Sequence, residues 1–260
     1  MNPKLLQYTK RFQKPDFSPQ LDLPKFFTQL DLTDYYEHLP YLHNIQAFCM
    51  RLFLAKLLNQ RICIYSDYDT DAITATATMY FGLLEIGFDK DKLDFYAPDR
   101  FTEGYGMNTD ATERLAKEFD LIVSVDCGIN STGEAEIVKM TNCDLLITDH
   151  HHLHDNLPDC VGVLNPRLGE YYNTNPKNLN SFVTNTGKWQ KSLPKYLEIL
   201  KKNLDEPQNQ KLLEFVQNTT RDPKGFAINS NKFMSASVTG VGVAWFCVVW
   251  LGYFLEVMEN

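Results

Sequence analysis

Regular patterning begins at 44–60, NIQAFCMRLFLAKLLNQ, where Ile45, Phe48, Leu52, Leu54, Ala55 and Leu58 recur at helical spacing and predict an amphipathic helix. Short apolar runs then alternate with helical ones. Strands are expected at 61–66, 93–98, 121–126, 144–149 and 160–166, separated by helices at 73–87, 108–119 and 133–141. The strand runs are apolar and largely β-branched, which suits strands buried on both faces. An α/β fold follows, a mostly parallel sheet with helices on both faces. In such sheets ligands gather at the carboxyl ends of the strands.

The pattern divides the chain into four parts. Residues 1–43, rich in Pro, Gln and Asp, suggest an N-terminal arm, and 44–167 carry the α/β core. Residues 168–236 break the alternation with a turn-rich polar stretch and two helical ones, as a partly helical insertion would. The 237–260 part predicts a C-terminal core helix. Its apolar run at 241–255 is about 15 residues, short of the ~20 that span a bilayer. Without a covering neighbour, so apolar a helix would expose a sticky patch.

Thirteen residues, ICIYSDYDTDAIT at 62–74, change the picture from fold to chemistry. An apolar strand ends in Asp67, Asp69 and Asp71, three like charges at alternate positions that an extended segment would point the same way. Asp126 and the run Asp149-His150-His151-His152 follow the last apolar residues of two further strands. Helix caps and turns account for any one such aspartate, but the set at one sheet edge calls for positive charge among them. Imidazole and carboxylate donors without a thiolate cluster suit Mn²⁺, Mg²⁺ or Fe²⁺ better than structural zinc. Two ions about 3.5–4 Å apart would suit phosphoester hydrolysis. A serine triad lacks its G-x-S-x-G elbow.

Composition constrains partners. The net charge of −8 excludes a generally basic nucleic-acid coat but allows a local basic groove or metal-mediated contact with a polyanion. Six scattered cysteines, with no C-x-x-C spacing, read as reduced core thiols in a cytoplasmic protein. The N-terminal MNPKLLQYTKRFQKPDF has no apolar signal core, and no membrane partner is expected.

Three segments, DYDTDA at 67–72, VDCGI at 125–129 and TDHH at 148–151, resemble successive motifs of the DHH phosphoesterases, whose signature is the Asp149-His150-His151 triplet. YAPDRFTEGYGMN at 96–108 and VLNPR at 163–167 are more particularly similar to the RecJ family of 5′→3′ single-strand-specific DNA exonucleases, and GVGVAWF at 240–246 resembles a helix start there. The resemblance implies a metal-dependent phosphodiester hydrolase acting on single-stranded nucleic acid in DNA repair or recombination. It implies two divalent cations, Mn²⁺ before Mg²⁺, held by Asp67, Asp69, Asp71, Asp126 and His150, with Asp126 bridging. His151 resembles the imidazole nearer the scissile phosphate, and Asp149 would orient an imidazole.

Arg100 is expected to pair with a phosphate, or else with Glu103; Gly104 and Gly106 would bring backbone N–H groups to substrate, and Asn165 and Arg167 are further phosphate-side candidates. Ser66 and Ala72 stand where the RecJ pattern has glycine. No counterpart of the family's fourth motif or second domain precedes Asn260, so a C-terminal half or partner subunit is expected to supply them. The alternatives are a phosphodiesterase for oligoribonucleotides or cyclic dinucleotides, and a non-catalytic binding protein with this fold.

Overall fold

The alternation folds into one parallel sheet. Strands β1 (Ile62–Ser66), β2 (Leu93–Tyr96), β3 (Leu121–Val125), β4 (Asp144–Thr148) and β5 (Gly162–Leu164) lie in the order β2-β1-β3-β4-β5, each neighbouring pair parallel. The helices are α1 (Ile45–Leu57), α2 (Thr70–Glu85), α3 (Thr109–Glu118), α4 (Thr132–Lys139) and α5 (Gly240–Glu259). This computed structural model describes residues 44–154, 156–168, 196–199, 201–202, 207, 210 and 237–259. The expected arm and most of the expected insertion lie outside the described residues.

Alternate residues of each strand feed two cores. Ile62 and Ile64 of β1, with Leu121 and Val123 of β3, pack under α1, α2 and α5; Cys63, Tyr65 and Ile122 face α3 and α4. Both faces are therefore covered, and β1, β3, β4 and β5 are buried along their whole length. All six cysteines are free and buried, and burial pushes the thiols of Cys49 and Cys63 up. Among the described residues, no helix is long and apolar enough to cross a membrane.

Register places the chemistry. Ser66 pairs with Val125, Val125 with Thr148, and Thr148 with Leu164, so these residues form one row across four strands. The next row is Asp67, Asp126, Asp149 and Asn165. Two ladder bonds continue into it, from the Asp126 amide to the Thr148 carbonyl and from the Asp149 amide to the Leu164 carbonyl, both 2.9 Å. After β1 the chain first runs outward to β2 and then returns to the other side as β3. The crevice between β1 and β3 is thus a topological switch point, where ligands bind in open α/β sheets.

Three elements depart from the sequence expectation for identifiable reasons. Helix α2 starts at Thr70, three residues before the expected 73, because the Asp69 carboxylate accepts from the Ala72 amide at 2.9 Å and caps it. Such a cap contributes about 1 kcal/mol. Asp67, Asp69 and Asp71 therefore do not share one extended segment: the first follows β1, the second caps α2, and the third lies in its first turn.

Helix α1 was expected to be amphipathic and is instead buried nearly all round. Its Arg51 is 2% exposed, with Nε 2.7 Å from Asp144 Oδ2, Nη1 on Gln60 and Nη2 on the Asp120 carbonyl. Tyr196 covers this pair, its hydroxyl donating to Asp144 at 2.6 Å and its ring lying 5.8 Å from the guanidinium. A charged residue reads as a polar face only while its partner in another element is unknown.

The apolar run of α5 finds its cover inside the unit, burying Val243, Ala244, Cys247, Leu251, Phe254 and Leu255 against α1 and α2. Gly82 of α2 permits the approach, since a Cβ there would stand 2.5 Å from Val248 Cγ1. The sticky patch considered for α5 does not arise along these positions.

Candidate metal centre

Asp67 and Asp126 are each 1% exposed at the ends of adjacent central strands. Neither oxygen of Asp67 has an aligned hydrogen-bond donor, and neither does Asp126 Oδ1. Burial raises both carboxyls above the ordinary carboxylate range; the nearby Tyr68 and Gly106 amides offset part of this for Asp67, and His150 does so for Asp126. A buried carboxylate left without donors is costly. Such a pair fits a site that receives cations.

Asp126 adopts φ +58°, a left-handed conformation that aspartate tolerates better than most residues. The chain turns there directly out of β3. His150 Nε2 stands 3.0 Å from Asp126 Oδ1 and 3.6 Å from Asp71 Oδ2. Its contact with Asp126 raises the His150 imidazole above its usual value, against the opposing effect of burial. One ligand atom each from Asp126, His150 and His151 lies within 4.8 Å of the other two.

Asp71 is fixed from a segment far away in sequence. Gly240 N donates to its Oδ2 at 2.8 Å and Val241 N to its Oδ1 at 2.9 Å, so two otherwise orphaned amides at the start of α5 hold it. Gly240 also faces Asp126, and a Cβ on it would stand 2.1 Å from Oδ1. Gly240→Ala is therefore expected to displace either α5 or Asp126 and to weaken Mn²⁺ binding at least tenfold while costing about 1–3 kcal/mol as an overpacked site. Calorimetric Mn²⁺ titration beside urea unfolding checks both effects.

Asp149 is fully occupied within the chain. Its Oδ1 accepts from the His150 and His151 amides and from His151 Nδ1 at 2.7 Å, and its Oδ2 accepts from the Ile129 amide at 2.9 Å. The contact with Asp149 raises the His151 imidazole. With Nδ1–H donating to Asp149, His151 Nε2 is the acceptor, and Tyr105 presents its hydroxyl there at 2.9 Å.

Asn165 and Arg167 brace the histidine loop. Asn165 is fully buried, with Nδ2 on the His151 carbonyl and Oδ1 on the Arg167 amide; Arg167 Nε donates to the His150 carbonyl at 2.8 Å. The Asn165 amide is thereby engaged at both ends. Arg100 is exposed and stacks over the Tyr68 ring at 5.4 Å. Glu103, its alternative partner, instead meets the Tyr96 hydroxyl and the Asp99 amide. Gly104 and Gly106 both take positive φ, +83° and +77°, on either side of Tyr105.

Sequence reasoning did not single out Tyr105, Gly240 or Val241. Tyr105 lies inside the quoted EGYG, and Gly240 opens the quoted GVGVAWF, so position was visible but function was not. Backbone donors leave no side-chain signature.

The chain is similar to known proteins over part of its length. The model of the DHH family, N-terminal domain, matches residues 61–188. These residues, a little under half of the chain, are similar to that domain. The single-stranded-DNA-specific exonuclease RecJ of Bacillus subtilis (strain 168) is 40% identical to the chain over 109 residues, which is 42% of this chain and 14% of that protein. RecJ of Escherichia coli (strain K12) is 33% identical over 109 residues, 42% of this chain and 18% of that protein. The matched part is thus a small fraction of either relative.

The crystal structure of exonuclease RecJ bound to manganese aligns with TM-score 0.54 at 20% identity, covering 83% of this chain and 39% of that one. The two share a fold. In this chain Asp149-His150-His151 stand beside Asp126 and Asp71 at the carboxyl edge of the parallel sheet.

Proposed function

We propose that the chain carries the DHH part of a metal-dependent phosphodiester hydrolase whose substrate is single-stranded DNA, degraded in the 5′→3′ direction. The observation that carries this reading is the pair of buried carboxylates, Asp67 and Asp126, with oxygens that lack aligned hydrogen-bond donors at the switch point of the sheet. The relatives named as single-stranded-DNA-specific exonucleases, one RecJ structure being manganese-bound, support the substrate and the metal.

Asp71, Asp126 and His150 would hold one cation, and Asp67 and Asp69, with Asp126 shared, a second; Mn²⁺ is preferred to Mg²⁺ because an imidazole joins the oxygen donors. Bound divalent cations supply Lewis acidity for phosphodiester hydrolysis. The chain's own part is positional. Gly240 and Val241 fix Asp71, Asp149 fixes His151, and Asn165 and Arg167 hold the backbone of the histidine pair. His151 Nε2, which faces the Tyr105 hydroxyl, is placed to meet a phosphate oxygen and donates to it when the imidazole is protonated. Arg100, beside Tyr68 and without a carboxylate partner among the described residues, is available for a backbone phosphate.

Metal binding carries a definite pH dependence. Imidazole must be neutral to ligate, and His150 sits above its usual value of about 6.5. Mn²⁺ affinity is therefore expected to fall as pH drops through a midpoint above about 6.5. Calorimetry across that range, with His150→Gln removing the titration, checks the sign.

The substrate is tested by nucleotide release from single-stranded DNA, short RNA and a cyclic dinucleotide with Mn²⁺. The proposal predicts release from DNA, starting at the 5′ end. Hydrolysis restricted to RNA or the cyclic dinucleotide would overturn it.

A further inference from the structure

A cavity of about 500 Å³ lies against His151, walled by the 105–107 loop, the 127–131 turn and the start of α4. Its volume falls in the range of small-molecule sites. Met107 and Ile129 are buried in its floor, and Tyr105, 61% exposed, forms an aromatic wall. Among its lining residues are Ser131 and Glu134, and no lysine or arginine.

The sequence Ser131-Thr132-Gly133-Glu134 spells a capping box for α4, in which the serine and glutamate side chains would close on each other's backbone amides. The fold leaves that box open. Ser131 is the N-cap residue yet its side chain makes no cap hydrogen bond, and Glu134 Oε1 accepts instead from Thr109 Oγ1 at 3.2 Å. A local rule set aside at the mouth of a cavity marks a place where side chains serve something other than the helix. Here they leave a hydroxyl and a carboxylate oxygen for a ligand.

We propose that this cavity receives a nucleobase of the bound strand, with Tyr105 as its stacking wall and Glu134 as the acceptor for an exocyclic amino group. The inference rests on the nucleotide-hydrolase reading, since the cavity is lined by His151 of the candidate metal cluster and by Asp149, which holds it. A free phosphate suits it less well than a base: the imidazoles of His151, His152 and His154 line it too, but the Glu134 carboxylate repels an anion and no lysine or arginine offsets that charge. A flat, partly apolar ring does, because it covers Met107 and Ile129 and lies against a tyrosine face. Cytosine presents an amino donor where thymine presents a carbonyl acceptor, so a carboxylate separates two bases of nearly equal size. Glu134 is thus a specificity-determining residue, and amino-bearing bases are preferred to thymine.

The test uses the whole chain with ¹³C-methyl methionine, titrated with dCMP or dTMP in metal-free buffer and read by the Met107 methyl resonance. Met140, exposed at the other end of α4, serves as the internal reference. The expected result is a Met107 shift with dCMP bound about tenfold more tightly than dTMP. Glu134→Gln should bring the two within about twofold, because a carboxamide donates to the thymine carbonyl as well as accepting from cytosine. Glu134→Asp, which keeps the charge but withdraws it, should weaken dCMP selectively. Equal affinities in the wild type, a preference that survives Glu134→Gln, or a Met107 resonance that neither nucleotide moves would each overturn the proposal. Loss of Mn²⁺ binding with this response intact would instead count against the metal centre alone.

Discussion

Asp126→Asn abolishes the stabilisation that Mn²⁺ confers on the wild-type chain. A ligand present at 100 times its Kd stabilises the native state by about 2.7 kcal/mol. Removing the carboxylate that stands 3.0 Å from His150 Nε2 and faces Gly240 eliminates that gain. Asparagine is the informative replacement because it keeps the shape of the side chain and tolerates the φ of +58° that alanine would resist. Mn²⁺ affinity should fall by more than the 10–100-fold typical of losing a group that only orients a ligand.

The same substitution has an opposite effect on the metal-free protein. Burial raises Asp126 above the ordinary carboxylate range, so the fold binds its proton more tightly than the unfolded chain does. That contribution favours the fold below the unfolded value and is lost as pH rises through the raised one. At neutral pH the ionised carboxylate therefore weighs against the metal-free fold, and the neutral amide relieves it. Thermal unfolding with and without Mn²⁺ should show a metal-free midpoint at or above wild type and no Mn²⁺-dependent rise. A variant that unfolds earlier and still responds fully to Mn²⁺ would contradict the account.

Arg51→Met destabilises the fold by about 3–5 kcal/mol, the range for stripping one partner from a buried ion pair. Arg51 joins α1 to the start of β4 through Asp144 and to the turn before β3 through the Asp120 carbonyl. Methionine fills much of the volume but takes the guanidinium away from the largely buried Asp144. The Tyr196 hydroxyl at 2.6 Å then carries more of the compensation. Pairing the change with Asp144→Leu should recover a large part of the loss, because two apolar residues do not strand a charge. Urea denaturation of the single and double variants, compared through their midpoints at constant slope, measures both. A loss below 1 kcal/mol for Arg51→Met would mean that Asp144 is adequately held without it.

The fold was largely legible because its strands are short apolar runs buried on both faces. Ile62–Ser66 and Leu121–Val125 announce themselves through composition alone. Polar residues immediately after such runs gave the site, since register converts four strand ends into one row. What stayed hidden depended on contacts distant in sequence. The buried environment of Arg51 depends on Asp144, 93 positions away, and the fixing of Asp71 depends on amides 169 and 170 positions away. The early start of α2 was hidden differently, because Asp69 is equally at home as a metal ligand and as a helix cap.

Asn165 illustrates the same limit from the other side. A polar residue after a strand reads as a ligand contact, yet its burial and its two bonds within the chain make it a brace for the His151 carbonyl. Motif spacing identifies the row; only packing separates those that face outward from those that support them.

Anomalous diffraction at the manganese edge, from crystals of the chain grown with Mn²⁺, tests the central claim most directly. Two peaks about 3.5–4 Å apart are predicted in the crevice between β1 and β3, one bounded by Asp71, Asp126 and His150 and the other by Asp67 and Asp69. An empty crevice, or manganese bound only at surface carboxylates away from that row, would contradict it.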